Sequence, residues 1–196
     1  MSEPETVRHA QRVAALLDEF IGRLFIARTT GVLWGVLGHT YPIAASHALA
    51  MSEGAILITL RRFDDLWRHH VKMLLLPTDL GFEGGQWLEE EINRRNLRNT
   101  ANKLVAHYAE DKSDLPLSHE EVTELVQSNG WVTEQEVLDW AGVAMWKIGM
   151  IWAGIRAKYY LPGSEPKQWM LEAMDGIDWV VGQVAQRYGP PPSDPS

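Results

Sequence analysis

At 196 residues and 22.2 kDa the chain is long enough for one domain with a sizeable core. Its 18 lysines plus arginines against 26 aspartates plus glutamates give a formal net charge of -8, which argues against a whole-surface electrostatic grip on nucleic acid and leaves room only for a local basic groove. Cysteine is absent, which excludes a disulfide framework, a thiol nucleophile and a thiolate metal site, and makes the cytoplasm the default compartment.

The N-terminal stretch MSEPETVRHAQRVAALLDEF starts acidic and becomes amphipathic, unlike an export leader with a basic start and an apolar centre. Ser2 and Glu5 fit a capping box, and Val13, Leu16, Leu17, Phe20, Leu24 and Phe25 recur at helical spacing, so a first helix is predicted from Glu5 to Gly38 with a kink near Thr29 to Gly31. GHTYP breaks it, and Pro42 sits where a first-turn proline starts a second helix running to about His70, with Ile56, Leu60, Phe63 and Trp67 as its apolar stripe. LLLPTDLGFEGG interrupts the pattern before a third helix predicted from Gln86 to Glu110. Ser118 with Glu121 and Thr133 with Glu136 fit capping boxes for a short helix and for a long one ending near Tyr160, and Ser164 caps a last helix reaching about Tyr188. No uninterrupted apolar run approaches the roughly 20 residues needed to cross a bilayer, so no membrane partner is expected.

No segment alternates as a strand, and every long segment has the helical period. The expected fold class is therefore all-α, an elongated bundle of about five principal helices in one domain over residues 1–188, followed by a disordered proline-rich tail over 189–196. Of the nine tryptophans most lie on apolar faces, Trp67, Trp140, Trp152 and Trp179 among them, and are read as core rather than as a base-stacking platform.

The most specific group of polar residues lies on the third predicted helix, in RRNLRNTANKLVAHYAEDK. With about 100° per residue, Leu97, Ala101, Leu104, Val105 and Tyr108 define a buried stripe, and His107 falls to one side of it with Asn96, Thr100, Lys103 and Asp111. Arg98 and Asn102 fall on the opposite shoulder. A histidine near a helix C-terminus is also stabilised by the dipole when protonated, which accounts for His107 without any chemistry. Asp111, one turn later, is placed to orient it, and Lys103, one turn earlier, is the cation on its own shoulder. Arg68, His69 and His70 lack the Glu-any-any-His spacing of a bundle metal site, and GFEGG lacks the Lys-Ser/Thr of a phosphate loop, so neither a metal nor a cofactor is called for.

On a helix, NKLVAHYAED resembles the signature segment of the HEPN superfamily, helical bundles that include many prokaryotic toxin ribonucleases. It resembles most the branch related to abortive-infection proteins of the U-two type, whose segment reads Arg-Asn-Lys, two variable residues, Ala-His and then an acidic residue. Residues 102–107 match that pattern, and FIARTTGVLWGVLG and ITLRRFDDL extend the likeness loosely over residues 10–160. The resemblance implies a cytoplasmic homodimer of defence or toxin–antitoxin type, with an RNA substrate, an antitoxin protein as partner, and metal-independent cleavage. His107 would move the proton near the 2'-hydroxyl, with Asn102, Lys103 and Asp111 around it. One departure stands out: the position of the motif arginine is Ala101, which supplies no charge to a phosphate. Two readings follow. One is a ribonuclease with a degenerate motif; the other is a non-catalytic HEPN-like bundle that binds a partner protein or nucleotide and keeps NKLVAH for packing.

Overall fold

The computed structural model describes residues 3–102 and 134–162, together with the single positions Glu124 and Gln127. Among them the chain is all-α, with no strand. Helix α1 spans Glu3–Leu37 as one continuous helix through Thr29 to Gly31, and α2 spans Pro42–Leu66. Pro42 is in the first turn of α2, where its missing N–H would have had no helical acceptor. A π-helical turn over Trp67–Val71 continues α2, α3 covers Phe82–Arg94, and α4 covers Glu134–Lys158. The predicted short helix after Ser118, the last helix after Ser164 and the tail lie outside the described residues.

The core forms where the apolar stripes meet. Leu17 and Leu24 of α1, Ile56, Leu57, Leu60 and Phe63 of α2, and Ile148, Ile151 and Ile155 of α4 are all fully buried. Leu16, counted in the sequence stripe, is 40% exposed, because its neighbour Leu17 takes the inward direction and adjacent helical residues diverge by about 100°. α1 runs antiparallel to α4: Arg28 and Gly31 meet Leu138 at one end, and Ala14 and Asp18 share a cleft with Trp152 and Arg156 at the other. α3 is antiparallel to α4 as well, from Gly81 against Ile151 to Arg95 against Glu136.

Among the described tryptophans the core reading holds for Trp67, fully buried, and Trp140, nearly so; Trp34, Trp87 and Trp152 are half-buried, and Trp146 is 64% exposed. Two of the three glycines of GFEGG have steric work rather than phosphate to explain them. Gly81 has φ 87, and a Cβ there would lie 2.5 Å from the Ile151 backbone. Gly85 faces the Trp67 ring so closely that no side chain fits.

Two helices exceed what the raw runs suggested. Stretches Pro4–Leu37 and Pro42–Val71 contain 18-residue windows of mean hydropathy 1.3 and 1.5, long and apolar enough to cross a membrane on length and composition alone. Core helices meet the same criterion, and half of the second window is buried inside the protein.

Candidate functional site

The motif segment is reached through a break that the sequence reading did not anticipate. Instead of one helix from Gln86 to Glu110, α3 ends at Arg94, Asn96 takes the left-handed conformation with φ 51, and the helix restarts over residues 97–102. Asparagine tolerates this conformation better than other residues with a side chain. The rhythm of burial shows why the turn is there. Gly85, Leu88 and Ile92 face inward at helical spacing, which an unbroken helix would continue at 95 or 96, both hydrophilic; the turn delays the next inward position to Leu97, which is fully buried.

Two members of the proposed polar row therefore leave it. Asn96 belongs to the turn, and Thr100 is 2% exposed with its hydroxyl donating to the Asn96 carbonyl at 3.3 Å. Ala101 is fully buried, so the position of the missing arginine faces a closed core rather than a groove. Asn102 is exposed. Lys103, His107 and Asp111 lie outside the described residues.

Just ahead of the motif the sequence builds a charged node that its linear spacing only half reveals. Asp64, fully buried on α2, accepts from Arg68 Nε at 2.8 Å and from Arg98 Nε. The second Arg98 nitrogen donates to Asp65 at 3.0 Å, so Asp65 pairs across the bundle rather than with Arg61 along its own helix. Arg68 also donates to Asn93 Oδ1 at 2.7 Å and lies 3.4 Å from Glu89. At the start of the π turn Trp67 faces the core, while Arg68, one position on, reaches back to Asp64 at the i,i+4 spacing. Glu89 in turn accepts from Lys72 at 2.5 Å and from the Trp67 indole at 3.0 Å.

The electrostatics follow. The hydrogen bond to Asp64, with the nearby carboxylates of Glu89 and Asp65, raises the Arg68 guanidinium further above its usual range against the opposing effect of burial. Burial alone would raise the Glu89 carboxyl, but hydrogen bonds from Lys72 and Trp67 outweigh it and hold the group below its ordinary value. Glu91 is lowered chiefly by Arg94 and, with smaller effect, by Arg95, which bridges on to Glu136 at 3.2 Å. Asp64 pairs with two arginines, Arg68 of the π turn and Arg98 of the motif segment, which reach on to Glu89 of α3 and Asp65 of α2, and this pins residue 98 to the end of α2.

The node limits what chemistry the motif can do. Arg98, the nearest upstream arginine, is engaged by two carboxylates, and no charge can stand at position 101 without opening the core. Among the described residues no group of three or more histidine, aspartate or glutamate side chains is arranged to hold a metal ion. His9 and His70 approach with ring centroids 5.2 Å apart, and His69 contacts the Asp65 carbonyl through Nδ1 at 2.9 Å. No protein-family model, curated protein or solved structure matches the chain.

Proposed function

We propose that the chain is a HEPN-like bundle of prokaryotic defence or toxin–antitoxin type that acts by binding, as a cytoplasmic homodimer, and no longer cleaves RNA by itself. One observation carries this reading: among the described residues of the motif segment, neither the motif position nor the nearest upstream arginine offers a free guanidinium. Ala101 is closed in the core, and Arg98 is bound to Asp64 and Asp65. Metal-independent cleavage of an RNA backbone without the motif arginine would leave the charge developing on the phosphate with little compensation, and removal of one such group elsewhere costs about a hundredfold or more in rate. The exposed Asn102 then serves recognition.

The competing reading, a metal-independent ribonuclease, needs an arginine delivered by a second subunit or by Arg61 or Arg62. The two readings separate in one experiment. Purified wild type and His107→Ala are incubated with a structured RNA in the presence of chelator, and both are expressed in a bacterial host. Binding alone predicts intact RNA and normal growth for both proteins. Cleavage or growth arrest by the wild type that His107→Ala abolishes would establish the ribonuclease and overturn the proposal.

A further inference from the structure

The end of the hairpin formed by α1 and α2 has a composition unlike the rest of the chain. From Phe20 to Ser52 there is no aspartate or glutamate, although acidic residues outnumber basic ones by 26 to 18 overall; Arg23, Arg28, His39 and His47 are the basic groups of that stretch. α1 meets α4 at Arg28 and Gly31, where Arg28 Nε donates to the Leu138 carbonyl at 3.1 Å. Past that junction, Ala45 is the single fully buried residue between positions 32 and 51. Ile43 is 75% exposed, Met51 69% and Tyr41 47%, and Trp34 is half-buried. A groove of about 460 Å³ lined by Ile26, Met51 and Ile58 continues from this tip between the two helices. Contiguous exposed apolar surface of this kind marks an interaction site.

We propose that this hairpin end is a membrane-surface contact, which enters the headgroup and upper acyl region of an anionic lipid bilayer. The depth fits. From the Gly38 to Tyr41 turn back to position 32, and forward to position 48, each helix contributes about 10 Å at 1.5 Å per residue, close to the 5–10 Å reached by interfacial helices. The chemistry fits as well: Trp34 and Tyr41 are the amphipathic rings favoured at that level, His39 and His47 can donate to lipid phosphates, and no carboxylate lies between positions 32 and 48; the arginines stand further back, Arg23 paired with Glu19 and Arg28 with the Leu138 carbonyl. The contact is peripheral, because Leu17, Leu24, Leu57 and Leu60 are core residues that the hairpin cannot withdraw from the bundle. A second copy of the chain is a poorer occupant. The end of a two-helix hairpin measures roughly 10 by 20 Å, about 200 Å², against the roughly 800 Å² per partner of a stable interface.

The test uses the full chain in co-sedimentation with vesicles of phosphatidylcholine mixed with phosphatidylglycerol, and with phosphatidylcholine alone. The wild type is expected to sediment with the anionic vesicles. The Tyr41→Asp, Ile43→Asp double variant, with a normal helical spectrum, is expected to lose about tenfold or more in partitioning, whereas Leu76→Asp, at an exposed apolar position outside the hairpin, keeps it. Failure of the wild type to bind, or binding that the double variant retains, overturns the proposal. Equal binding to neutral vesicles removes the anionic headgroup from it. A wild-type dimer in light scattering that the double variant dissolves, with no vesicle binding, assigns the tip to a second copy instead.

Discussion

Replacing Asp64 by alanine leaves two guanidinium groups facing the place where their shared carboxylate was. Asp64 is fully buried, but the side chains of Arg68 and Arg98 are 30% and 39% exposed, so both can partly rehydrate. Breaking a fully buried pair costs about 3–5 kcal/mol, and this solvent access brings the expected loss to about 2–3 kcal/mol. Arg98→Ala should cost less, about 1–2 kcal/mol, because Arg68 still satisfies Asp64 and the second acceptor, Asp65, is half-exposed. In the double variant the interaction is removed once rather than twice, so the cycle should show a coupling of about 1–2 kcal/mol. Urea unfolding at neutral pH measures all three, and for a chain of this length Asp64→Ala should also lower Tm by roughly 4–12 °C. Losses that simply add, to within about 0.3–0.5 kcal/mol, would show that Asp64 and Arg98 do not interact and that the node does not hold the motif segment.

Ala101→Arg should destabilise the protein by several kcal/mol through an unpaired buried guanidinium, whereas Asn102→Arg at the next, exposed position should stay within about 0.5 kcal/mol by the same unfolding assay. Glu89 and Glu91 have folded-state values below their unfolded ones, so the stability they add is present above the unfolded value near 4.5 and is lost as pH falls through the folded values; Glu89→Gln should flatten the acid limb of a stability profile. Gly85→Ala should cost about 1–3 kcal/mol because the added methyl meets the Trp67 ring, and near-ultraviolet circular dichroism should report the displaced indole.

Most of the helical frame was legible from periodicity and from two punctuation signals, Pro42 at the start of α2 and the break around Pro77. Ile56, Leu60, Phe63 and Trp67 were read as a stripe and all four are fully buried. The break in the third helix was missed because neither glycine nor proline marks it. The available signal was subtler: Arg94 and Arg95 at a helix end followed by asparagine, the residue that most often replaces glycine in a left-handed cap. The charged node was half legible, since Asp64 and Arg68 are one turn apart, but Arg98 is 34 residues further on and only the tertiary fold brings it back. Ala101 could be placed on the inward side by angle alone; that the core closes over it depends on neighbours that no local pattern names.

The left-handed residue at Asn96 has a consequence for how the protein can vary. In an unbroken helix, a residue inserted into α3 would rotate everything after it by about 100°. Here the turn absorbs rotation, and the clamp of Arg98 on Asp64 and Asp65 fixes the azimuth of the next segment independently. Length changes in α3 can thus be buffered before they reach Asn102, while the exchange of Asn96 for a β-branched residue, which resists positive φ, would re-aim the motif segment without altering any residue inside it.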